Sequence, residues 1–174
     1  MRNAIKSHVP QPLLNFYGDT KRALEKTFKH VPPDERVRYE LIPIYKGHFN
    51  VTYRGITTLR MPFDYVMYQM ILCKIQPDLI IEIGSAYGGT TLYFADLMDI
   101  LGHGMVHSID INESVDPLAK KHPRIKLFSK GWDRYDLREA AGFNKILVID
   151  DGSHLYEDVL AALNKFAPLV SVGS

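Results

Sequence analysis

One segment, DLIIEIGSAYGGTT from Asp78 to Thr91, constrains the fold more than any other part of this sequence. It joins an unbroken apolar run to a glycine-rich turn, and a helix-like stretch, LYFADLMDIL, follows at once. A strand that is covered on both faces, as in a parallel sheet, needs such an apolar run. Glycine lets the backbone turn tightly and approach a ligand, and the following helix points its first amides at that ligand. The segment therefore predicts a nucleotide-type cofactor site at the carboxyl end of a first strand.

Strands and helices alternate through the rest of the sequence. Apolar residues recur at helical spacing from Pro62 to Ile75, which predicts a helix between two prolines. Strands are predicted at 78–83, 104–110, 124–129 and 145–150, with helices at 88–101, 113–121, 134–141 and 154–166. This order predicts an α/β fold with a doubly wound, Rossmann-like parallel sheet.

The two ends of the chain carry less pattern. Residues 1–55 are punctuated by prolines and hold one helical candidate at 19–30, so we predict an N-terminal extension over 1–55 and one cofactor-binding domain over 56–174. After the last helix only APLVSVGS follows, which leaves the outer edge of the fourth strand without a partner. Because an exposed apolar edge invites pairing, we expect a domain truncated after the fourth strand and its helix, or one completed by another chain in a homo-oligomer.

Composition excludes several classes of function. The formal net charge is +1 and no basic run is present, so nucleic acid is not an expected partner. The single cysteine, Cys73, excludes an intrachain disulfide and a cysteine metal cluster. The first residues lack the apolar core of a signal peptide and no 18-residue apolar run is present. We therefore expect a cytoplasmic protein that does not engage a membrane.

The spacing of the glycine turn, Glu82-x-Gly84-x-x-x-Gly88-Gly89, distinguishes between cofactors. A dinucleotide fingerprint would need glycine at position 86, where this chain has Ala86. The observed form is the one expected for S-adenosylmethionine (SAM), which has no pyrophosphate to seat on the helix. The alternative is a plain strand-to-helix turn that uses glycine for geometry alone.

Two further groups follow other predicted strands. Asp110 ends the second strand, where an acid can accept both ribose hydroxyls of a nucleoside, although a solvated loop acid is the alternative. The segment Asp150-Asp151-Gly152-Ser153-His154 follows the fourth strand, so a tight turn can place Asp151 and His154 on one side of a cleft. Carboxylate oxygen suits a hard cation such as Mg²⁺, and imidazole can accept a proton from a substrate hydroxyl at neutral pH. The alternative is that Asp151 or Ser153 merely caps the next helix while His154 is solvated.

These sites together resemble a known family. The blocks PDLIIEIG…GG and DDGSH are similar to those of the cephalosporin hydroxylase family, a branch of the class I SAM-dependent methyltransferases, and to macrolide-sugar O-methyltransferases related to mycinamicin and macrocin biosynthesis. The resemblance runs from about Tyr53 to the end of the chain. It implies a methyltransferase that uses SAM and Mg²⁺, or another divalent cation, to modify a hydroxyl of a small molecule or glycan.

The resemblance also implies roles for individual residues. The glycine loop would hold the methionine and ribose portions of SAM and Asp110 the ribose hydroxyls, while Asp151 would bind the metal and His154 would be the base. After the third strand the family often shows Gly-Asp-Ser, whereas this chain has Gly131-Trp132-Asp133. Trp132 is predicted to stack on adenine, and the alternative is that it is simply a core or surface aromatic. The full set of predicted cofactor contacts is Glu82, Gly84, Ser85, Gly88, Gly89, Asp110, Ile111, Trp132 and Asp150. The family's remaining metal ligands, a Glu-Asp pair after a fifth strand, have no counterpart here.

Three functions therefore remain open at this point. The first is a divalent-metal-assisted O-methyltransferase acting on a sugar or glycosylated natural product. The second is a module that binds the cofactor without catalysing a reaction, because the metal half of the site is incomplete. The third is an NAD-dependent oxidoreductase, against which Ala86 argues. A hydroxylase that uses iron is disfavoured because no 2-His-1-carboxylate spacing is present.

Overall fold

The computed structural model describes residues 41–170. The helical candidate at 19–30 lies outside this range, and the predicted domain boundary at residue 55 stays a prediction. Within the described range the chain begins with helix α1 (Leu41–Gly47) and a short antiparallel pair, β1 (Thr52–Tyr53) and β2 (Ile56–Thr57).

A parallel sheet forms the centre of the described domain. Its strands are β3 (Leu79–Ile83), β4 (Met105–Ile109), β5 (Ile125–Phe128) and β6 (Ile146–Asp150), in the spatial order β5-β4-β3-β6. Every residue of β3 is buried because the strand pairs on both sides and is covered on both faces. This arrangement confirms the predicted α/β fold with a parallel, Rossmann-like sheet.

Of the four further α-helices in the described range, one precedes these strands, two connect them and one follows them. They are α2 (Pro62–Ile75), α3 (Gly89–Leu101), α4 (Pro117–Lys120) and α5 (Tyr156–Phe166). Two predicted helices differ from the structure. The one at 113–121 is a single turn, with Asp116 as its side-chain cap, and the one at 134–141 consists of two 3-10 turns, Trp132–Arg134 and Leu137–Ala140.

Two apolar layers sandwich the sheet. One face packs Ile80 and Val106 against Phe94 and Met98 of α3 and Leu72 of α2. The opposite face packs β3 and β6 residues against Tyr135 and Phe166. These layers fix α3 directly beneath the glycine turn, which sets the position of the site.

The described domain leaves two apolar regions exposed. On α2 the side chains of Phe63, Val66, Met67 and Met70 are all more than half exposed. Among residues 41–170, β6 pairs only with β3, so its outer edge has no partner strand, as the sequence predicted. None of the helices in the described part of the chain has the length and apolarity needed to cross a bilayer.

Candidate cofactor and acceptor site

Three loops converge at the carboxyl edge of the sheet. The Gly84 amide donates to the Ile109 carbonyl across 2.8 Å, which joins the loop after β3 to the end of β4. The Asp151 amide donates to the Ile83 carbonyl across 2.9 Å, which joins the loop after β6 to the end of β3. The glycine loop, Asp110 and the DDGSH segment therefore lie side by side, because parallel strands end at one edge.

A cavity of about 200 Å³ opens beside the glycine loop. Its walls come from the glycine loop, from the carboxyl ends of β4 and β5 and from the segment that follows β4, and its lining includes both polar and apolar side chains. The lining residues are Ser85, Ser108, Asp110, Asn112, Glu113, Val115, Lys120, Leu127, Phe128 and Ser129. Ser85 and Asp110, two of the predicted cofactor residues, are thus brought together in one cavity.

Backbone amides fix the Asp110 carboxylate at the cavity. Oδ2 accepts a hydrogen bond from the Ala86 amide at 2.8 Å, and Oδ1 accepts one from the Asn112 amide at 2.9 Å. Ala86 adopts a positive φ of 47°, which turns its amide toward this acid. Ser85 is only 5% exposed, and its Oγ has no hydrogen-bond partner among the described residues. A buried hydroxyl in this condition is a candidate ligand contact, because an unpaired buried polar atom is costly.

The glycines of the loop make room chiefly for the protein itself. A Cβ on Gly84 would lie 2.7 Å from the Asp151 carbonyl carbon, and one on Gly88 would lie 2.7 Å from Cγ1 of Val115. A Cβ on Gly89 would lie 2.7 Å from the Thr57 carbonyl oxygen. Gly84 therefore lets the DDGSH loop pack directly on the glycine loop, which the sequence did not reveal. Direct contact of these glycines with a cofactor stays a prediction.

Glu82 faces the interior of the domain instead of the cavity. It is fully buried; its Oε2 accepts a hydrogen bond from Thr91 at 2.5 Å, and its Oε1 lies 3.6 Å from Nη2 of Arg60. Burial raises the pKa of Glu82 to about 7, although Thr91 and Arg60 act in the opposite direction. Glu82 can thus support the glycine loop from the interior of the domain. Its contact with the cofactor stays a prediction.

Three other predicted cofactor residues have different surroundings. Ile111 projects into solvent with 77% of its surface exposed, directly after Asp110. Trp132 packs against the core layer that contains Tyr135 and is not among the residues lining the cavity. Asp150 is exposed, and its Oδ1 accepts a hydrogen bond from the Gly152 amide at 3.1 Å. Ile111 therefore offers a free apolar surface near the cavity, while the adenine contact of Trp132 stays a prediction.

The DDGSH loop places Asp151 and His154 at the carboxyl edge of the sheet, and neither residue lines the cavity beside the glycine loop. Oδ1 of Asp151 lies 3.9 Å from Nε2 of His154, whose side chain is 75% exposed. His154 has a positive φ of 59°, which is uncommon for a residue other than glycine. Helix α5 begins at Tyr156 and its N-cap residue, Leu155, makes no side-chain cap, while the Ser153 hydroxyl donates to Asp158. The capping alternative for Asp151 and Ser153 is therefore wrong, although His154 is indeed solvated.

Metal-ligating side chains do not gather around Asp151 within residues 41–170. The only group of three acids and histidines that converges in that range is Asp96, Asp99 and His122, on α3 and after α4. Arg54 pairs with Asp96, and Arg124 pairs with Asp99. Because arginines already compensate these carboxylates, the group is best described as an ion-pair network.

Sequence reasoning missed Arg60, which lies between the two halves of the site. Its Nη2 is 3.2 Å from Oδ2 of Asp151 and 3.6 Å from Oε1 of Glu82. One signal could have pointed to it. Glu82 interrupts a strand that is otherwise apolar, and a buried acid needs a partner. Nothing local, however, identifies which arginine or lysine supplies it.

Two buried groups give opposite contributions to the pH dependence of stability. Folded Glu82 keeps a proton from its ordinary pKa of 4.5 up to about 7, so its contribution to the free energy of unfolding falls as pH rises. His107 is 3% exposed, and burial lowers its pKa from 6.5 to about 4. In that window the unfolded chain binds a proton that the folded chain does not, so the contribution of His107 falls as pH falls.

We therefore expect single variants to shift the pH profile in opposite directions. The free energy of unfolding of Glu82→Gln minus that of the wild-type protein should increase by about 3 kcal/mol as pH rises from 4.5 to 7. For His107→Gln the same difference should instead decrease by about 3 kcal/mol as pH rises from 4 to 6.5. Urea unfolding of the three proteins at several pH values measures both differences. If the two differences changed in the same direction with pH, the opposite roles of Glu82 and His107 would be contradicted.

The fold and the site define a Rossmann-like domain of the class I methyltransferase type. The sequence model of the Rhamnosyl O-methyltransferase/CmcI family matches residues 45–174. The chain therefore belongs to this family, as its resemblance to cephalosporin hydroxylase-like sequences predicted.

Individual relatives agree with this placement. The rhamnosyl O-methyltransferase of Mycobacterium tuberculosis is 31% identical over 152 residues, which cover 81% of this chain and 62% of that protein. The one of Mycobacterium leprae is 32% identical over 153 residues, which cover 81% of this chain and 66% of that protein. The chain thus spans less than two-thirds of the length of these curated relatives.

Solved structures show the same fold. A CmcI structure with SAH superimposes with a TM-score of 0.57 at 25% identity, covering 76% of this chain and 63% of that one. A CmcI structure with Mg-SAM gives a TM-score of 0.53 at 23% identity, covering 77% of this chain and 64% of that one.

Proposed function

We propose that this protein is a SAM-dependent O-methyltransferase that acts on a sugar hydroxyl. The observation that carries the proposal is the cavity beside the glycine loop, where Asp110 and the unpartnered Ser85 hydroxyl meet. Membership of a family that includes rhamnosyl O-methyltransferases supports a rhamnosyl group, or a similar sugar, as the acceptor. The CmcI structure with SAH supports the cofactor class.

The residues of the cavity suit the nucleoside part of SAM. The Asp110 carboxylate can accept hydrogen bonds from vicinal ribose hydroxyls, and the Ser85 Oγ can bond to another polar group of the ligand. The exposed side chain of Ile111 offers an apolar surface for a planar base. SAM supplies a methyl group that its sulfonium charge already activates, so the protein has mainly to align the reactants.

The acceptor side of the proposed reaction rests on the DDGSH loop. A hydroxyl is a poor nucleophile while it is protonated, and the exposed His154 imidazole can accept that proton. Asp151, 3.9 Å away, can stabilise the resulting imidazolium and fix the orientation of the ring. Because His154 is largely exposed, an acceptor attached to a bulky glycoside can reach it.

A divalent cation forms part of the proposal, with Asp151 as its ligand. The CmcI structure with Mg-SAM supports this assignment. Asp151 provides one carboxylate, and a hard cation prefers six or more oxygen ligands. Within residues 41–170 His154 is 3.9 Å away, but no group of three acids and histidines includes Asp151. These residues alone therefore do not form a metal site, and no step of the mechanism is assigned to the metal.

Calorimetry tests the cofactor part of the proposal. The wild-type protein should bind SAM, and Asp110→Asn should weaken binding about 10- to 100-fold, because hydrogen bonds to a charged group contribute roughly 1.5–3 kcal/mol. Asp136→Asn is a matched control, since Asp136 is partly exposed and caps a 3-10 turn away from the cavity. Equal loss of affinity in both variants, or no binding by the wild-type protein, would refute the assignment of the cavity.

A second candidate function is a module that binds the cofactor without catalysis. The pairing of Asp151 with Arg60 favours it, because that ion pair engages one oxygen of the proposed metal ligand. Calorimetry with and without Mg²⁺, together with a methyl-transfer assay on rhamnosyl glycosides, separates the two functions. Binding of SAM that ignores Mg²⁺, without turnover of any glycoside, would favour the binding module.

A further inference from the structure

Arg60 is a buried cation between the cofactor half and the acceptor half of the site. It lies between β2 and α2 and is only 7% exposed. Its Nη2 lies 3.2 Å from Oδ2 of Asp151 and 3.6 Å from Oε1 of Glu82. One guanidinium thus lies beside two acidic side chains, Glu82 in β3 and Asp151 in the DDGSH loop.

The guanidinium of Arg60 is fixed from its other side. Its Nη1 donates to the Tyr68 hydroxyl on α2 across 2.8 Å, and its Nε donates to the Thr90 hydroxyl on α3 across 3.3 Å. The charge also lies 5.2 Å from the centre of the Tyr68 ring. Because two helices determine its position, Arg60 is a rigid reference point for the more exposed DDGSH loop.

The contact with Asp151 distinguishes the two oxygens of its carboxylate. Oδ2 faces Arg60, whereas Oδ1 faces His154 at 3.9 Å. Nη2 makes no directed hydrogen bond to any described residue, so the attraction is electrostatic. Burial strengthens such an attraction because the local dielectric constant is low. Rotation of the carboxylate away from this geometry would leave Nη2 with only Oε1 of Glu82 nearby, at 3.6 Å.

We infer that Arg60 is a positioning residue that holds Oδ2 of Asp151 and so keeps Oδ1 directed at His154 and the acceptor. This inference rests on the proposed function. Arg60 does not itself reach the reacting atoms, and it acts through Asp151. Oε1 of Glu82, 3.6 Å from Nη2, is the other acidic group beside this guanidinium, and Glu82 does not line the cavity.

Kinetics separate this role from a purely structural one. Arg60→Gln should lower kcat about 10- to 100-fold, because a small misplacement of a catalytic group has effects of this size. The dissociation constant of SAM should stay close to the wild-type value, and Arg60→Lys should recover part of the rate. Arg54→Gln is the matched control, since Arg54 is partly exposed and pairs with Asp96 instead. Unchanged kcat in Arg60→Gln, or a loss confined to SAM affinity, would overturn the inference.

A double-mutant cycle tests the contact independently of activity. If Arg60 holds Asp151, the losses in melting temperature of Arg60→Gln and Asp151→Asn will not add, because either change removes the same ion pair. Arg60→Lys keeps a buried cation at this position, so it should lose less stability than Arg60→Gln. Additive losses would overturn the inference. A different outcome would separate the two claims. If the losses are non-additive but the wild-type protein binds SAM and never transfers a methyl group, the contact is retained and the proposed function is refuted.

Discussion

Replacing His154 with alanine is expected to lower kcat for methyl transfer by about 10²- to 10⁴-fold, the usual contribution of a general base. The affinity for SAM should not change, because His154 lies outside the cavity beside the glycine loop. The side chain is 75% exposed, so its removal costs little packing. Transfer of labelled methyl from SAM to a rhamnosyl glycoside measures kcat, and calorimetry measures the affinity.

Two further variants strengthen this test. His154→Asn removes the base while keeping a residue that tolerates positive φ, so it separates the loss of the base from backbone strain. His103→Ala is the control, since this partly exposed histidine pairs with Asp78 at the opposite edge of the sheet. Methyl transfer at the wild-type rate in both His154 variants would exclude His154 as the base.

The sheet could be predicted from sequence because its strands have an unambiguous pattern. The run at 79–83 is apolar except for Glu82, as expected of a strand that is buried on both faces. Helix α2 was located correctly, but its buried face could not be predicted. It is apolar almost all round, and the exposed Val66 and Met67 are as apolar as the buried Leu72. Periodicity selects a face only when the opposite face is polar.

The site was predictable to the extent that strand ends gather its residues. Asp110 and Asp151 each follow a parallel strand, so topology alone places them at one edge. Arg60 could not be predicted, because it is far from Glu82 and Asp151 in sequence and meets them only through the packing of α2 and α3. The same applies to Gly84, whose neighbour is the backbone of a loop that follows it by more than sixty residues.

Gly84→Ala is expected to destabilise the protein by about 2–5 kcal/mol. A positive φ of 84° costs an alanine roughly 1–2 kcal/mol. Its Cβ would also lie 2.7 Å from the carbonyl carbon of Asp151 and 3.0 Å from Cα of Gly152. These are backbone atoms that cannot rotate away, and such overpacking typically costs a further 1–3 kcal/mol. Urea unfolding monitored by circular dichroism measures the change.

Gly102→Ala separates the two causes of this destabilisation. Gly102 has nearly the same φ, 83°, but nothing lies within 4 Å of the position of its Cβ. It should therefore lose only about 1–2 kcal/mol, the conformational part of the cost. Equal losses in the two variants would show that the DDGSH loop does not pack on the glycine loop. A larger loss in Gly84→Ala, accompanied by lower kcat in the folded fraction, would show that this packing also sets the position of Asp151 and His154.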